Sequence, residues 1–138
     1  MSADRPYTYV LERLNAAGLR PTRQRLALAK LLLEAGDRHI TAEQLHSEAV
    51  AAGIKVSLAT VYNTLHQFTK AALLREVVVE AGRAYFDTNT SEHHHLFRED
   101  TGELSDIAPS AIAVSELPVP PDGMTIDRVE VIVRIKPS

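Results

Sequence analysis

Apolar side chains recur at helical spacing through the first 70 residues of the chain. Val10 and Leu14 share one face of a helix that is expected to end at Gly18, because glycine is favoured just past a helix C-terminus. A second helical segment starts near Thr22 and stops by Gly36. The pattern therefore predicts two helices joined by a short turn.

Two further helices carry clear start signals. Thr41 followed by Gln44 predicts a capping box, and Ser57 is placed to cap the next helix. The apolar residues of this fourth helix form one stripe, which predicts that this side packs into a core. The stripe consists of Leu58, Val61, Leu65 and Phe68.

The periodicity then changes from helical to extended. "LLREVVVEAGRAYFDT" (73–88) predicts two β-strands joined by a turn at Gly82. Residues 19–88 are therefore predicted to form three helices followed by a two-stranded hairpin, which is the winged-helix arrangement, a variant of the helix-turn-helix architecture.

Beyond residue 88 the predicted elements are shorter. "HHHLF" (93–97) and "ELSDI" (103–107) predict strands, and Pro109 is expected to begin a short helix over "PSAIAVSE" (109–116). "RVEVIVRIK" (128–136) alternates apolar and polar residues like a strand. This region holds too little apolar material to be stable alone, so we expect it to share a sheet and core with a second copy, as a homodimer.

Composition narrows the class of protein. The chain contains no cysteine, which removes disulfides, thiolate nucleophiles and Cys-ligated zinc. No apolar run approaches membrane-spanning length, so we expect a soluble cytoplasmic protein.

The charged residues are unevenly distributed along the chain: residues 1–88 carry 11 Lys and Arg against 9 Asp and Glu, whereas residues 89–138 carry 4 against 9. The two regions are therefore expected to have different partners.

The exposed side of the fourth helix resembles a DNA-reading surface. Opposite the apolar stripe, its small and uncharged polar residues can approach base edges and phosphates in the major groove. Arg20, Arg23 and Arg25 precede the second helix and could grip the backbone or minor groove. The alternative is an ordinary solvated face of a small helical bundle. The face consists of Ala59, Thr60, Asn63, Thr64 and Gln67, with Tyr62 alongside.

Three consecutive histidines lie inside the chain in "FDTNTSEHHHLF" (86–97). In a strand, alternate side chains share a face, so His93 and His95 can converge while His94 points away. The alternative is a solvated polar loop.

Four stretches closely resemble the ferric uptake regulator family: "GLRPTRQR" (18–25), "HITAEQLH" (39–46), "VSLATVYNTLHQF" (56–68) and "YFDTNTSEHHH" (85–95). The resemblance covers nearly the whole chain in the right order. It implies an α+β fold, with a winged-helix DNA-binding domain over 1–88 and a small α/β dimerisation domain over 89–138. It also implies metal-responsive transcriptional regulation on double-stranded promoter DNA, as a homodimer or higher oligomer, rather than enzymatic activity.

The resemblance also implies functional residues. The family's base-reading tyrosine corresponds to Tyr62 and its minor-groove basic residue to Arg20, and Asn63 stands where many relatives carry arginine. The DNA-binding set is then Arg20, Ser57, Thr60, Tyr62 and Asn63. The regulatory metal site corresponds to His39, Asp87, His93, His95 and Asp106. This nitrogen and oxygen set suits Mn²⁺, Fe²⁺ or Zn²⁺, and a metal held by all five would join the domains and fix the spacing of the two reading helices in a dimer.

This chain departs from the family at two other metal sites. The paired Cys-x-x-Cys of a structural zinc site is replaced by Arg98 and Thr101, so no Cys₄ zinc is expected. A further site in the dimerisation domain retains at most Glu92 and His94, which predicts incomplete occupancy.

Within the family, "FTKAALLREV" (68–77) and "DTNTSEHHHLF" (87–97), without cysteines, look most like the iron response regulators called Irr. Such proteins act when iron is scarce and lose activity when haem is plentiful, which implies haem at His93, His94 and His95. In this interpretation His94, facing away from the metal, serves as an axial ligand.

Two alternatives remain at this level. A peroxide sensor of the same fold would oxidise a ligating histidine through Fe²⁺, and Asp106 in place of glutamate fits that pattern. A non-haem Fe(II) oxygenase would need two histidines and a carboxylate, but it leaves the helical half of the chain without a role.

Overall fold

The computed structural model of the protein describes residues 7–138. These residues divide into two compact units, an N-terminal unit through Thr90 and a C-terminal unit over Ser91–Ser138. This division lies two residues after the domain boundary predicted at 88/89. Residues 1–6 of the predicted first domain lie outside the described residues.

Four helices build most of the N-terminal unit, and each starts or ends where local chemistry predicts. The Thr41 side chain accepts from Gln44 N–H while the Gln44 side chain accepts from Thr41 N–H, which completes the predicted capping box. Ser57 caps the fourth helix by accepting from Thr60 N–H at 3.1 Å. The helices are α1 (Thr8–Ala16), α2 (Arg23–Leu33), α3 (Ala42–Ala51) and α4 (Leu58–Lys70).

The apolar stripes of these helices converge on one core. Val61, Leu65 and Phe68 of α4 are buried, as predicted, and they pack with Leu28 and Leu45. Thr64 is also buried, so its assignment to the reading face was wrong. It lies three residues after Val61, which at 3.6 residues per turn puts both on the same side of the helix.

A three-stranded antiparallel sheet completes the N-terminal unit. Strands β2 (Arg75–Glu80) and β3 (Arg83–Asp87) form the predicted hairpin, and Gly82 adopts the positive φ of 74° that its turn requires. The third strand, β1 (His39–Ile40), was not predicted. It pairs with β3 so that the order is β1-β3-β2, with His39 opposite Asp87.

The C-terminal unit contains a second three-stranded sheet, in the order β5-β4-β6. The predicted strands "HHHLF" and "ELSDI" correspond to β4 (His94–Arg98) and β5 (Glu103–Ile107), which pair antiparallel with His95 opposite Asp106. Strand β6 (Ile132–Ile135) runs parallel to β4. Helices and sheets thus confirm the predicted α+β class.

Two elements of the C-terminal unit are shorter than the sequence predicted. The helix predicted from Pro109 is a single 3-10 turn, Pro109–Ala111, and Ile112 already has extended backbone angles. The β-branched Ile112 and Val114 favour extended structure, and Val114 remains exposed, so no packing stabilises a longer helix. The tail strand covers Ile132–Ile135 only, and Val133 and Ile135 are more than one-third exposed. No helix within residues 7–138 is long and apolar enough to cross a membrane.

Candidate metal site and nucleic-acid interface

The N-terminal unit brings two of the five predicted metal ligands together. His39 and Asp87 lie opposite each other in the β1–β3 pair, with His39 Nε2 at 3.2 Å from Asp87 Oδ2. Asp87 is fully buried, and its other oxygen, Oδ1, accepts from Asn89 N–H at 2.9 Å. One imidazole nitrogen and one carboxylate oxygen therefore form a positioned pair.

The C-terminal unit brings the other three together. His93 precedes β4, His95 lies within it, and Asp106 is the cross-strand neighbour of His95. Asp106 Oδ1 lies 3.2 Å from His93 Nε2 and 3.7 Å from His95 Nε2, and the two imidazole ring centroids are 4.6 Å apart. Both histidines are buried, whereas the Asp106 side chain is 38% exposed. This is a compact set of two imidazoles and one carboxylate.

The hydrogen bond of His93 tests whether this set fits a cation. Nδ1 of His93 lies 2.6 Å from the carbonyl oxygen of Ser91. A carbonyl only accepts, so Nδ1 carries the proton, and in the neutral ring Nε2 presents its lone pair to Asp106. Two acceptors that face each other need a proton or a cation between them. An Nδ1–H bonded to a backbone carbonyl is also the usual support of a metal-ligating histidine, so the residues fit a divalent metal.

His94 is positioned differently from its two neighbours. Its Nδ1 lies 3.1 Å from the backbone nitrogen of Val131, which donates to it. The neutral His94 ring therefore keeps its proton on Nε2. An axial bond to haem through Nε2 would require the other tautomer and the loss of the Val131 bond.

Arg98 and Thr101, where the resemblance places the absent Cys-x-x-Cys pair, both make hydrogen bonds in the β4–β5 turn. Arg98 Nε donates to Asp100 Oδ1 at 2.9 Å, and Thr101 Oγ1 accepts from Glu103 N–H at 3.2 Å. Hydrogen bonding to Arg98, followed by its charge, lowers the pKa of the Asp100 carboxyl, and the same bond raises the pKa of Arg98. Glu92 and His94 were expected to be what remains of the further metal site; Glu92 is exposed, and His94 accepts a hydrogen bond from Val131 N–H.

Helix α4 presents the predicted reading residues at the surface. Tyr62 is 38% exposed and Asn63 is exposed, while Thr60 is half-buried. The Ser57 hydroxyl donates to Thr60 Oγ1 at 2.9 Å, so these two hydroxyls also fix the N-terminal turn of α4. Arg20 is exposed, and its carbonyl accepts from Arg25 Nη1 at 2.9 Å.

Sequence reasoning missed two contacts that shape this face. Arg25 Nη2 donates to Gln67 Oε1 at 3.0 Å, which links the start of α2 to α4. The Tyr62 hydroxyl donates to Glu43 Oε1 at 2.7 Å. This hydrogen bond, together with desolvation and the negative charge of Glu43, raises the pKa of Tyr62. Both contacts join residues distant in sequence, so local periodicity contained no signal for them.

Comparison with known proteins agrees with these observations. The model of the ferric uptake regulator family matches residues 16–133. The chain is 35% identical over 100 residues to the ferric uptake regulation protein of Vibrio anguillarum, which covers 72% of this chain and 67% of that protein. The ferric uptake regulator of Pseudomonas aeruginosa, solved with manganese, superposes with a TM-score of 0.72 at 28% identity, covering 92% of this chain and 96% of the other. A zinc-bound manganese uptake regulator superposes with a TM-score of 0.69 at 26% identity, covering 94% and 98%. The chain therefore belongs to the ferric uptake regulator family of metal-responsive transcription regulators of iron homeostasis, and it is not an enzyme.

Proposed function

We propose that one divalent cation, Mn²⁺, Fe²⁺ or Zn²⁺, is bound by His39, Asp87, His93, His95 and Asp106, and that it switches the affinity of a homodimer for promoter DNA. The observation that carries this proposal is the pairing of histidine with carboxylate in each unit, with His39 on Asp87 and His93 on Asp106, each at 3.2 Å. Similar regulators have been solved with manganese and with zinc.

The chemistry of the ligands favours sharing over two separate ions. The pair in the N-terminal unit offers two protein ligands and the set in the C-terminal unit offers three, whereas Mn²⁺ favours octahedral coordination and structural Zn²⁺ sites use four ligands. One cation that recruits both sets satisfies this requirement. It would also couple the unit that carries α4 to the unit that is proposed to form the dimer. That coupling would set the spacing of the two α4 helices in the dimer, which must match the spacing of the two half-sites on the DNA.

The reading surface of this proposal is the exposed side of α4. Tyr62 and Asn63 are exposed there and would contact base edges, while Arg20 would neutralise phosphates or enter the minor groove. Ser57 and Thr60, at the N-terminal turn of α4, would contact the backbone of the duplex. The exposed apolar residues of the C-terminal unit support a homodimer.

If the chain belongs to the haem-responsive Irr subgroup, haem ligation would require a change at one of the three consecutive histidines. If haem is bound through Nε2 of His94, the bond from Val131 N–H must break, because Nδ1 then carries the proton. Ligation through His93 or His95 would instead displace the divalent metal. Haem should therefore either break the Val131–His94 hydrogen bond or expel the metal ion.

Fluorescence anisotropy of a labelled AT-rich duplex tests the switch. It would be measured with Mn²⁺, with a chelator, and with Mn²⁺ plus haemin, in parallel with metal counting by mass spectrometry. We expect binding that requires Mn²⁺, and one bound ion per chain that is lost in both His39→Ala and His93→Ala. His46→Ala is the matched control, because His46 Nε2 is bonded to the Val56 carbonyl and lies outside the ligand set.

Three outcomes would change the proposal. An ion retained in His39→Ala but lost in His93→Ala would assign the metal to the C-terminal unit alone. Haemin without effect on the wild-type complex would rule out the Irr subgroup. Added oxygen on the peptides of His39 or His93 after peroxide treatment of the Fe²⁺ form would favour the peroxide sensor.

A further inference from the structure

The hydroxyl hydrogen of Tyr62 already has an acceptor within the protein. Its oxygen lies 2.7 Å from Oε1 of Glu43, which belongs to the first turn of α3. A tyrosine hydroxyl has one hydrogen to donate, and an ionised glutamate can only accept. The single hydrogen of the Tyr62 hydroxyl therefore points at Glu43.

The ring of Tyr62 is supported as well. It stacks on the imidazole of His66 with the centroids 6.3 Å apart and an interplanar angle of 19°. His66 in turn contacts the edge of Phe86 in β3, with centroids 5.6 Å apart, and its Nδ1 lies 3.7 Å from a Glu76 carboxylate oxygen. The Tyr62 side chain is thus held at its hydroxyl by Glu43 of α3 and at its ring by His66 of α4, while 38% of the residue stays exposed.

We propose that Glu43 is a positioning residue that sets the hydrogen-bond polarity of Tyr62, so that this tyrosine can accept from DNA but cannot donate to it. The inference rests on the proposed role of Tyr62 as a reading residue. In the major groove, donors are the N6 amino group of adenine and the N4 amino group of cytosine, whereas guanine O6 and N7 and thymine O4 are acceptors. A hydroxyl with only lone pairs to offer therefore favours adenine or cytosine at the position it faces, because their amino groups donate, and it is repelled by the acceptors of guanine or thymine at that position.

Base preference, rather than affinity, is the diagnostic readout. Replacing Glu43 removes a negative charge near the DNA, which should strengthen binding to every sequence through the phosphate backbone. Without Glu43 the Tyr62 hydroxyl can also donate a hydrogen bond, which changes the order of preference among the four bases at the one base pair that the hydroxyl faces. A merely structural role of Glu43 would not move that ranking.

The experiment compares competition binding of the metal-loaded full chain to duplexes varied one base pair at a time. We expect Glu43→Ala to lower the discrimination at one position by about 2- to 10-fold, the range of a single hydrogen bond. Tyr62→Phe should lower it equally, and the double variant should match Tyr62→Phe. Glu34→Gln is the control for charge, because Glu34 pairs with Lys30 and does not contact Tyr62.

A second readout follows the bond itself. Ultraviolet titration, taken as the difference from Tyr62→Phe, isolates Tyr62 from the other tyrosines. Its pKa should fall towards the ordinary value in Glu43→Ala, since the bond to Glu43 is the largest cause of its elevation.

The failures of the two proposals are distinguishable. If Tyr62→Phe changes the base ranking while Glu43→Ala keeps that of the wild type, the polarity proposal is wrong and the reading role of Tyr62 stands. If Tyr62→Ala binds and ranks duplexes like the wild type, the reading role itself is wrong, and the polarity proposal with it.

Discussion

The two units of this chain differ in how they bury apolar surface. The N-terminal unit packs a continuous core, in which residues such as Leu28, Leu65 and Phe68 are almost completely buried. Within Ser91–Ser138 the large apolar residues that reach this degree of burial are Phe97 and Leu104. In the same unit eight large apolar side chains are exposed by more than one-third: Val114, Leu117, Val119, Met124, Ile126, Val129, Val133 and Ile135.

This difference assigns different sources of stability to the two units. The N-terminal unit obtains its free energy of folding from contacts within one chain, so its stability should not depend on protein concentration. The C-terminal unit leaves apolar surface that a single chain does not cover, and such surface marks an interaction site. A second copy that covers it would make the stability of this unit depend on protein concentration.

The largest expected effect tests the N-terminal core. Leu65→Ala should lower the free energy of unfolding by about 2–5 kcal/mol, because Leu65 is fully buried and its truncation leaves a cavity. Denaturant unfolding followed by circular dichroism at fixed protein concentration measures it. Val50→Ala is the matched control, since Val50 is 58% exposed on α3 and should change stability by less than about 0.5 kcal/mol. Equal losses in the two variants would contradict a core that is closed within one chain.

The next effect tests the uncovered surface of the C-terminal unit. Val133→Asp should raise the dissociation constant of the dimer at least about tenfold, because burying an unpaired carboxylate costs more than the 1.4 kcal/mol that this factor represents. Sedimentation equilibrium measures the constant. Val78→Asp is the control, since Val78 is 55% exposed on the hairpin of the N-terminal unit. A dimer that tolerates Val133→Asp, or that is weakened equally by both variants, would show that this surface is covered by something else.

The sequence allowed prediction wherever neighbouring residues determine structure. The Thr41 capping box, the Ser57 cap and the Gly82 turn each depend on a few adjacent residues, and all three formed as expected. Alternation in a strand predicted that His93 and His95 share a face, whereas Asp106 was assigned through the family resemblance, and the structure sets Asp106 opposite His95. The predicted ligands of each unit are accordingly close together.

What escaped prediction depends on distant contacts or on the absence of packing. Strand β1 has two residues, too few to show a period, and it exists because His39 and Ile40 pair with β3 almost fifty positions later. The Glu43–Tyr62 bond joins two helices across 19 positions. The helix predicted at Pro109 failed for the opposite reason, because propensity without a packed face does not sustain a helix.

The smallest expected effect sharpens the comparison at the β4–β5 turn of the C-terminal unit, where Arg98 and Asp100 form an ion pair. Arg98 lowers the pKa of the Asp100 carboxyl, so the folded state favours the ionised form more than the unfolded state does. A lowered pKa contributes stability above the unfolded value of about 3.9, and this contribution is lost as the pH falls through the lower, folded value. Asp100→Asn should therefore be slightly less stable than the wild type at neutral pH. The two should converge only at acidic pH, well below the usual aspartate pKa. Arg98→Gln removes the same bond from its other partner and should show the same pH profile, measured by thermal unfolding at a series of pH values. A difference that persists unchanged at the acidic limit would mean that the turn gains its stability from the Gly102 and Thr101 hydrogen bonds and that the Arg98–Asp100 ion pair contributes nothing measurable.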